Sequence, residues 1–171
     1  MDLVGHTRYI DSIDASDISN VALSGSDDCS MRLWDLRTGQ CVRVMEEHDY
    51  DVNSVSMDSA CKTAVSGSED NTVKLWDLGS GQCIETYEYG QFVRDVVMHE
   101  SGSSFLASGL KGILEAWALG SDQPLLEADL VPLSGSDPGS FEMSTAASRD
   151  LSKVAVCYNK GSTTIGVSVW K

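Results

Sequence analysis

Three residue types that together can attack an acyl group recur in this chain at fixed spacing. His6, Ser24 and Asp28 are followed by Trp34, and His48, Ser66 and Asp70 by Trp76. A serine hydroxyl activated by a histidine that an aspartate orients is the machinery of nucleophilic hydrolysis. A nucleophile, however, is needed once and sits in a distinctive turn such as G-x-S-x-G, which the sequence lacks. A set that returns in each unit beside a tryptophan has the character of structural glue. No P-loop, dinucleotide fingerprint or zinc motif occurs. No enzyme activity, cofactor or metal is therefore expected.

Composition narrows the partners. The 171 residues carry 26 acidic and 12 basic side chains, a formal net charge of −14. Nucleic-acid affinity rests largely on Lys and Arg at phosphates, and anionic membranes select the same residues. Nucleic acid and membrane are thus not expected partners, whereas a Lys- or Arg-rich protein segment would be steered towards the chain. No stretch approaches the ~20 apolar residues of a bilayer span. The start, Met1 to His6, has neither a basic region nor an apolar run, so a cytoplasmic or nuclear location is expected. Cys29, Cys41, Cys61, Cys83 and Cys157 form no C-x-x-C pair and are odd in number. They read as reduced thiols in small core spaces.

The elements that must hold the recurring residues are visible in the spacing. Trp34 and Trp76 stand 42 residues apart, and Trp76 and Trp117 stand 41 apart. Ser24 to Leu36 aligns without a gap on Ser66 to Leu78, and Thr38-Gly39-Gln40-Cys41 on Ser80-Gly81-Gln82-Cys83. The third unit keeps Ser108-Gly109, Trp117 and Leu119; the fourth ends at Trp170-Lys171. The positions one and three before each Trp are apolar: Met31 and Leu33, Val73 and Leu75, Leu114 and Ala116, Val167 and Val169. That is the period-two burial of a strand. In the second unit strands are expected at Val52 to Met57, Thr63 to Ser68, Thr72 to Trp76 and Gln82 to Tyr87. Evenly spaced short strands at a ~40–45-residue period select a β-propeller. The chain reads as one all-β segment of four consecutive four-stranded blades with the last incomplete. The repeats fall near 5–46, 47–88, 89–128 and 140–171, with a Gly-, Ser- and Pro-rich loop at 129–140.

These residues resemble the WD-repeat, or β-transducin-like, family, whose Gly-His and Trp-Asp marks look like Gly5-His6 and Trp34-Asp35, then Glu47-His48 and Trp76-Asp77. The resemblance implies a buried hydrogen-bonded tetrad in each blade: His6, Ser24, Asp28 and Trp34, then His48, Ser66, Asp70 and Trp76. A neutral imidazole donates from one nitrogen and accepts at the other, so such a chain can be fully satisfied. Breaking a link leaves a buried group unpaired, at ~1–3 kcal/mol. In the third unit Tyr89 replaces the histidine and Lys111 lies near the expected aspartate; the fourth has Trp170 alone.

The resemblance also implies a protein-binding top rim. The matching positions are Tyr9, Asp11 and Asp27 in the first unit, Asp51, Asn53 and Glu69 in the second, and Phe92 and Arg94 in the third, with Tyr50 adjacent. Aromatic anchors in a polar surround suit a binding hot spot. The expected function is a non-catalytic scaffold or adaptor presenting this rim to proteins. Substrate recognition in a ubiquitin ligase, reading of basic histone-like peptides, and an enzyme on a propeller scaffold are the alternatives. Family rings usually close with seven blades, so three arrangements are open: an arc of a larger ring, association with further blades, or a four-bladed ring closed by Asp2 to Val4. The repeat count favours the first.

Overall fold

The computed structural model describes residues 2–109, 113–129, 141–148, 150–160 and 163–170. Among them are fifteen strands and no helix. The first sheet holds β1 (Ile10–Ser16), β2 (Val21–Ser26), β3 (Met31–Asp35) and β4 (Gln40–Met45). The second holds β5 (Val52–Met57), β6 (Thr63–Ser68), β7 (Thr72–Asp77) and β8 (Gln82–Glu88). The third holds β9 (Val93–Met98), β10 (Ser104–Gly109), β11 (Ile113–Ala118) and β12 (Leu126–Asp129). The fourth has three strands, β13 (Phe141–Ala147), β14 (Val154–Lys160) and β15 (Thr163–Trp170). Each sheet is an antiparallel meander. The four expected strands of the second unit are present, two of them one residue longer. Past Asp129 the expected loop lies outside the described residues, as do Lys111 and Lys171. Asp2 to Val4 form no strand. That corrects the idea that they complete the fourth sheet, and the described sheets form an open arc.

A single blade is too thin to bury its own apolar faces, so the core lies between blades. Leu23, Met31 and Met45 of the first sheet pack with Val52, Val55, Met57 and Trp76 of the second. Val65, Val73 and Tyr87 of the second pack with Val93, Val96, Phe105 and Trp117 of the third. At the third junction Leu106, Leu114 and Val154 pack together among the described residues. The predicted apolar positions Met31, Leu33, Val73, Leu75 and Leu114 are all buried. Ala116 is half-buried, and the side chains of Val167 and Val169 are outside the description.

Close approach needs a missing side chain. A Cβ on Gly25 would stand 2.9 Å from a methyl of Val52 and 2.9 Å from one of Val55; on Gly67 it would stand 2.4 Å from Val93. The next blade's innermost strand fits only because both positions are glycine. In the third sheet the same register position is Ser108, opposite Leu114 as Gly25 is opposite Met31. There Thr145 Oγ1 donates to Ser108 Oγ at 2.8 Å, so a hydroxyl pair replaces a glycine–valine contact.

Polar rungs tie the innermost strands together. Ser12 Oγ accepts the Val55 N–H at 3.1 Å and Asp14 Oδ2 the Met57 N–H at 2.8 Å. Ser54 Oγ and Ser56 Oγ repeat this on Val96 and Met98 at 3.1 and 3.0 Å. Asp95 Oδ2 accepts the Thr145 N–H at 2.8 Å. At the position after next, where Asp14 and Ser56 stand in the earlier blades, Val97 has no acceptor to offer.

The thiols differ from the sequence-based expectation. Cys29, Cys41, Cys61 and Cys83 are free but only half-buried. Cys61 and Cys83 pack against the first inter-blade core, whereas Cys29 occupies a turn at φ 64°. The Cys157 side chain is outside the description.

Candidate functional site: the tetrads and the top rim

In the first blade His6 comes from the segment before β1, Ser24 from β2, Asp28 from the β2–β3 turn and Trp34 from β3. Trp34 Nε1 donates to Ser24 Oγ at 2.9 Å, Ser24 Oγ lies 2.7 Å from His6 Nε2, and His6 Nδ1 donates to Asp28 Oδ2 at 2.8 Å. The second blade repeats these contacts at 2.8, 2.6 and 2.6 Å through Trp76, Ser66, His48 and Asp70. A neutral ring closes the relay: indole N–H to hydroxyl, hydroxyl to Nε2, Nδ1–H to carboxylate. The serine hydroxyl is thus engaged by both the imidazole and a buried indole, which leaves no lone, accessible nucleophile.

The set extends beyond four residues. Asp28 Oδ1 accepts from Ser30 Oγ at 2.6 Å, and Asp70 Oδ1 from Thr72 Oγ1 at 2.6 Å. Burial works against both charges, but hydrogen bonds outweigh it. Donors from Ser30, Thr7 and His6 hold Asp28 far below the usual carboxylate range. Those from His48 and Thr72 hold Asp70 at about 2. Ser26 and Ser68 bond the Tyr9 and Tyr50 carbonyls and thereby fix the rim backbone. The recurrence of Ser24-x-Ser26 and Ser66-x-Ser68, and of a hydroxyl two residues after each Asp, carried this signal in the sequence.

The third blade solves the same problem differently. Strand register puts Ala107, not Ser108, in the place of Ser24 and Ser66, because Ala107 pairs with Glu115 as Ser24 pairs with Arg32. The alignment on Ser108-Gly109 is therefore one residue out. With no hydroxyl in reach, Trp117 Nε1 donates to Glu115 Oε2 at 2.8 Å. Tyr89, in the histidine's place, donates its hydroxyl to the Ile113 carbonyl. Phe105 stacks on Trp117 at 6.3 Å between ring centroids, and Tyr87 meets both edge-on at 4.9 and 5.2 Å. Aromatic packing stands in for the polar relay. The Trp170 side chain lies outside the description.

The rim residues sit at the ends of the innermost strands and in the second-to-third strand turns. Backbone bonds join the two parts of the rim, Asp27 N to Tyr9 O and Glu69 N to Asp51 O, both at 3.0 Å. Arg94 crosses from the third blade to the second, 3.2 Å from Glu69 Oε1 and 3.4 Å from Asn53 Oδ1. Asn53 Nδ2 donates to the Val93 carbonyl at 2.7 Å. Asp11 hydrogen-bonds Asp27; that contact first, then burial and the charges of Asp27 and Asp51, push its carboxyl up to about 6 against the pull of Arg94. Tyr9, Tyr50 and Phe92 are 81, 61 and 39 % exposed. The structure thus gathers Asp11, Asp27, Asp51, Asn53, Glu69 and Arg94 into one network with three aromatic rings outside it. Among the described residues no group of His, Cys, Asp and Glu has the arrangement of a metal site.

A family model described as "WD domain, G-beta repeat" matches residues 1–35 and 39–77. Over 53 residues, 31 % of this chain, the sequence is 42 % identical to a protein of Aspergillus terreus named "Probable E3 ubiquitin ligase complex SCF subunit sconB". Over 44 residues, 26 % of this chain, it is 43 % identical to mouse "F-box/WD repeat-containing protein 10". These stretches cover 8 % and 4 % of the two relatives, so the likeness is one of repeats and not of whole proteins. On these matches and on the blades that carry them, residues 1–77 are repeats of the WD-repeat family.

Proposed function

We propose that the chain is a non-catalytic scaffold or adaptor whose top rim binds other proteins, with Lys- or Arg-bearing segments as the favoured ligands. The rim itself carries this reading. Exposed Tyr9, Tyr50 and Phe92 flank Asp11, Asp27 and Asp51; of the nearby cations, Arg94 is engaged by Glu69 and Arg8 by the Asp27 carbonyl. Exposed aromatic rings give area at low entropic cost, and unpaired carboxylates select a basic partner. A cytoplasmic or nuclear site of action fits such a role. The names of the relatives favour one narrower reading, recognition of substrates for a ubiquitin ligase. Ile10 and Ile13, 53 and 64 % exposed where the equivalent Val52 and Val55 are buried, favour association of the first sheet with a further blade.

The rim is tested with a fluorescent oligolysine peptide and the Asp51→Asn, Glu69→Gln and Tyr9→Ala variants. The Asp51 and Tyr9 changes are expected to weaken binding by about 1–3 kcal/mol each. Unchanged affinity in all three would remove the rim as the binding surface.

A further inference from the structure

The first two blade junctions share a register but carry opposite charge on their outer side. At the first, Arg43 on β4 pairs with Leu33 and reaches across to the next blade, where its Nη2 donates to the Gly79 carbonyl at 3.0 Å. Its Cδ stands 3.3 Å from where a Cβ of Gly81 would be, so a guanidinium and its stem fill this groove. At the second junction Glu85 holds the same register place, opposite Leu75. The turn contact is reversed, with the Gly120 N–H donating to Glu85 Oε2 at 3.2 Å. The neighbouring place is reversed as well. Lys74 donates across its strand pair to Thr86 Oγ1 at 3.1 Å, whereas Glu115 stands directly opposite Glu127, a like-charge pair that disfavours the sheet.

What remains at the second junction is a groove of about 400 Å³, closed at its base by Tyr87 and Trp117. Glu85, Glu88, Glu115, Asp122 and Glu127 line it, and among the described residues no Lys, Arg or His does. Glu115 is only 8 % exposed. Among the described residues it takes one hydrogen bond, from the Trp117 indole, and pairs with no cation. Burial and the charge of Glu127 push its carboxyl up, against the Trp117 bond. A buried carboxylate is costly unless a counter-charge meets it, and here it opens onto a space whose counterpart one blade earlier holds a guanidinium.

We propose that this outer groove between the second and third blades binds a guanidinium or ammonium side chain of a partner protein, in the seat that Arg43 fills from within the chain at the first junction. It is a second surface, away from the rim. The carboxylates of Glu85, Glu115 and Glu127 accept hydrogen bonds from the cation, which relieves the repulsion between Glu115 and Glu127. The indole of Trp117 reports the event directly, because its N–H is already bonded to Glu115.

The test uses the intact chain labelled with ¹⁵N and follows the Trp117 indole N–H resonance. N-acetyl-arginine amide, N-acetyl-lysine amide and the neutral isostere N-acetyl-citrulline amide are titrated in turn. The two cations are expected to move the resonance saturably and citrulline to leave it in place. Glu127→Gln, at an exposed position that folding tolerates, is expected to weaken the cations about tenfold, and Asp51→Asn on the rim to change nothing. No movement with either cation, equal movement with citrulline, or undiminished binding to Glu127→Gln would each overturn the proposal. Since Asp51→Asn reports only on the rim, either surface can fail while the other stands.

Discussion

At the scale of the residue, Asp28 and Asp70 are the members of the two polar relays whose charge the fold holds in place. Asp70 has a carboxyl held at about 2 by donors from His48 and Thr72, with its side chain 8 % exposed. A carboxylate whose folded value is depressed contributes stability above its unfolded value, near 4, and loses it as pH falls through the folded one. Asp70→Asn is therefore expected to cost about 2 kcal/mol at pH 7. The gap from the unaltered chain should narrow between pH 4 and pH 2, as read by urea unfolding at each pH. A gap that stays constant over that range would mean the charge of Asp70 is not what stabilises the blade. These relay residues were legible because constant spacing keeps them so: His6 and Trp34, like His48 and Trp76, stand 28 residues apart. The third blade was not. Tyr89 and Trp117 keep the spacing, but matching Ser-Gly by identity overrode it. Strand pairing counts residues, and at that count the hydroxyl is missing and a glutamate two residues before the indole replaces it.

At the scale of the element, a blade is defined by what its second strand leaves out. Gly25 and Gly67 admit the innermost strand of the next sheet. Gly25→Ala would press a methyl against Val52 and Val55 and, at 3.0 Å, the Val52 carbonyl. Overpacking of this kind costs about 1–3 kcal/mol, so the variant is expected to lower the thermal midpoint, whereas Gly79→Ala, whose nearest neighbour is the Asp77 carboxylate at 3.3 Å, is expected to change it far less. The alternation that betrayed each strand lies in the chain itself. The rungs do not, because Ser12, Asp14, Ser54, Ser56 and Asp95 are ordinary strand-surface residues until the adjoining sheet brings a backbone N–H to them.

At the scale of the whole molecule, the three junctions are unequal. The first two combine a large apolar core, a glycine gap and two rungs. At the third a Ser108–Thr145 hydroxyl pair replaces the glycine gap, and Val97 removes a rung. Elements tied to their neighbours by fewer hydrogen bonds open first. Native-state hydrogen exchange should therefore show the amides of β13 and β14 opening at lower free energy than those of β5 and β6, and equal protection would contradict the ranking.

The rungs run one way only: a side chain from one sheet always caps an amide of the sheet that follows. Ile13 and Ala15 occupy the places of Val55 and Met57, and there the Ala15 N–H turns to the Asp14 carboxylate of its own strand at 2.8 Å. All three junctions thus share one polarity, like links that hook in a single direction.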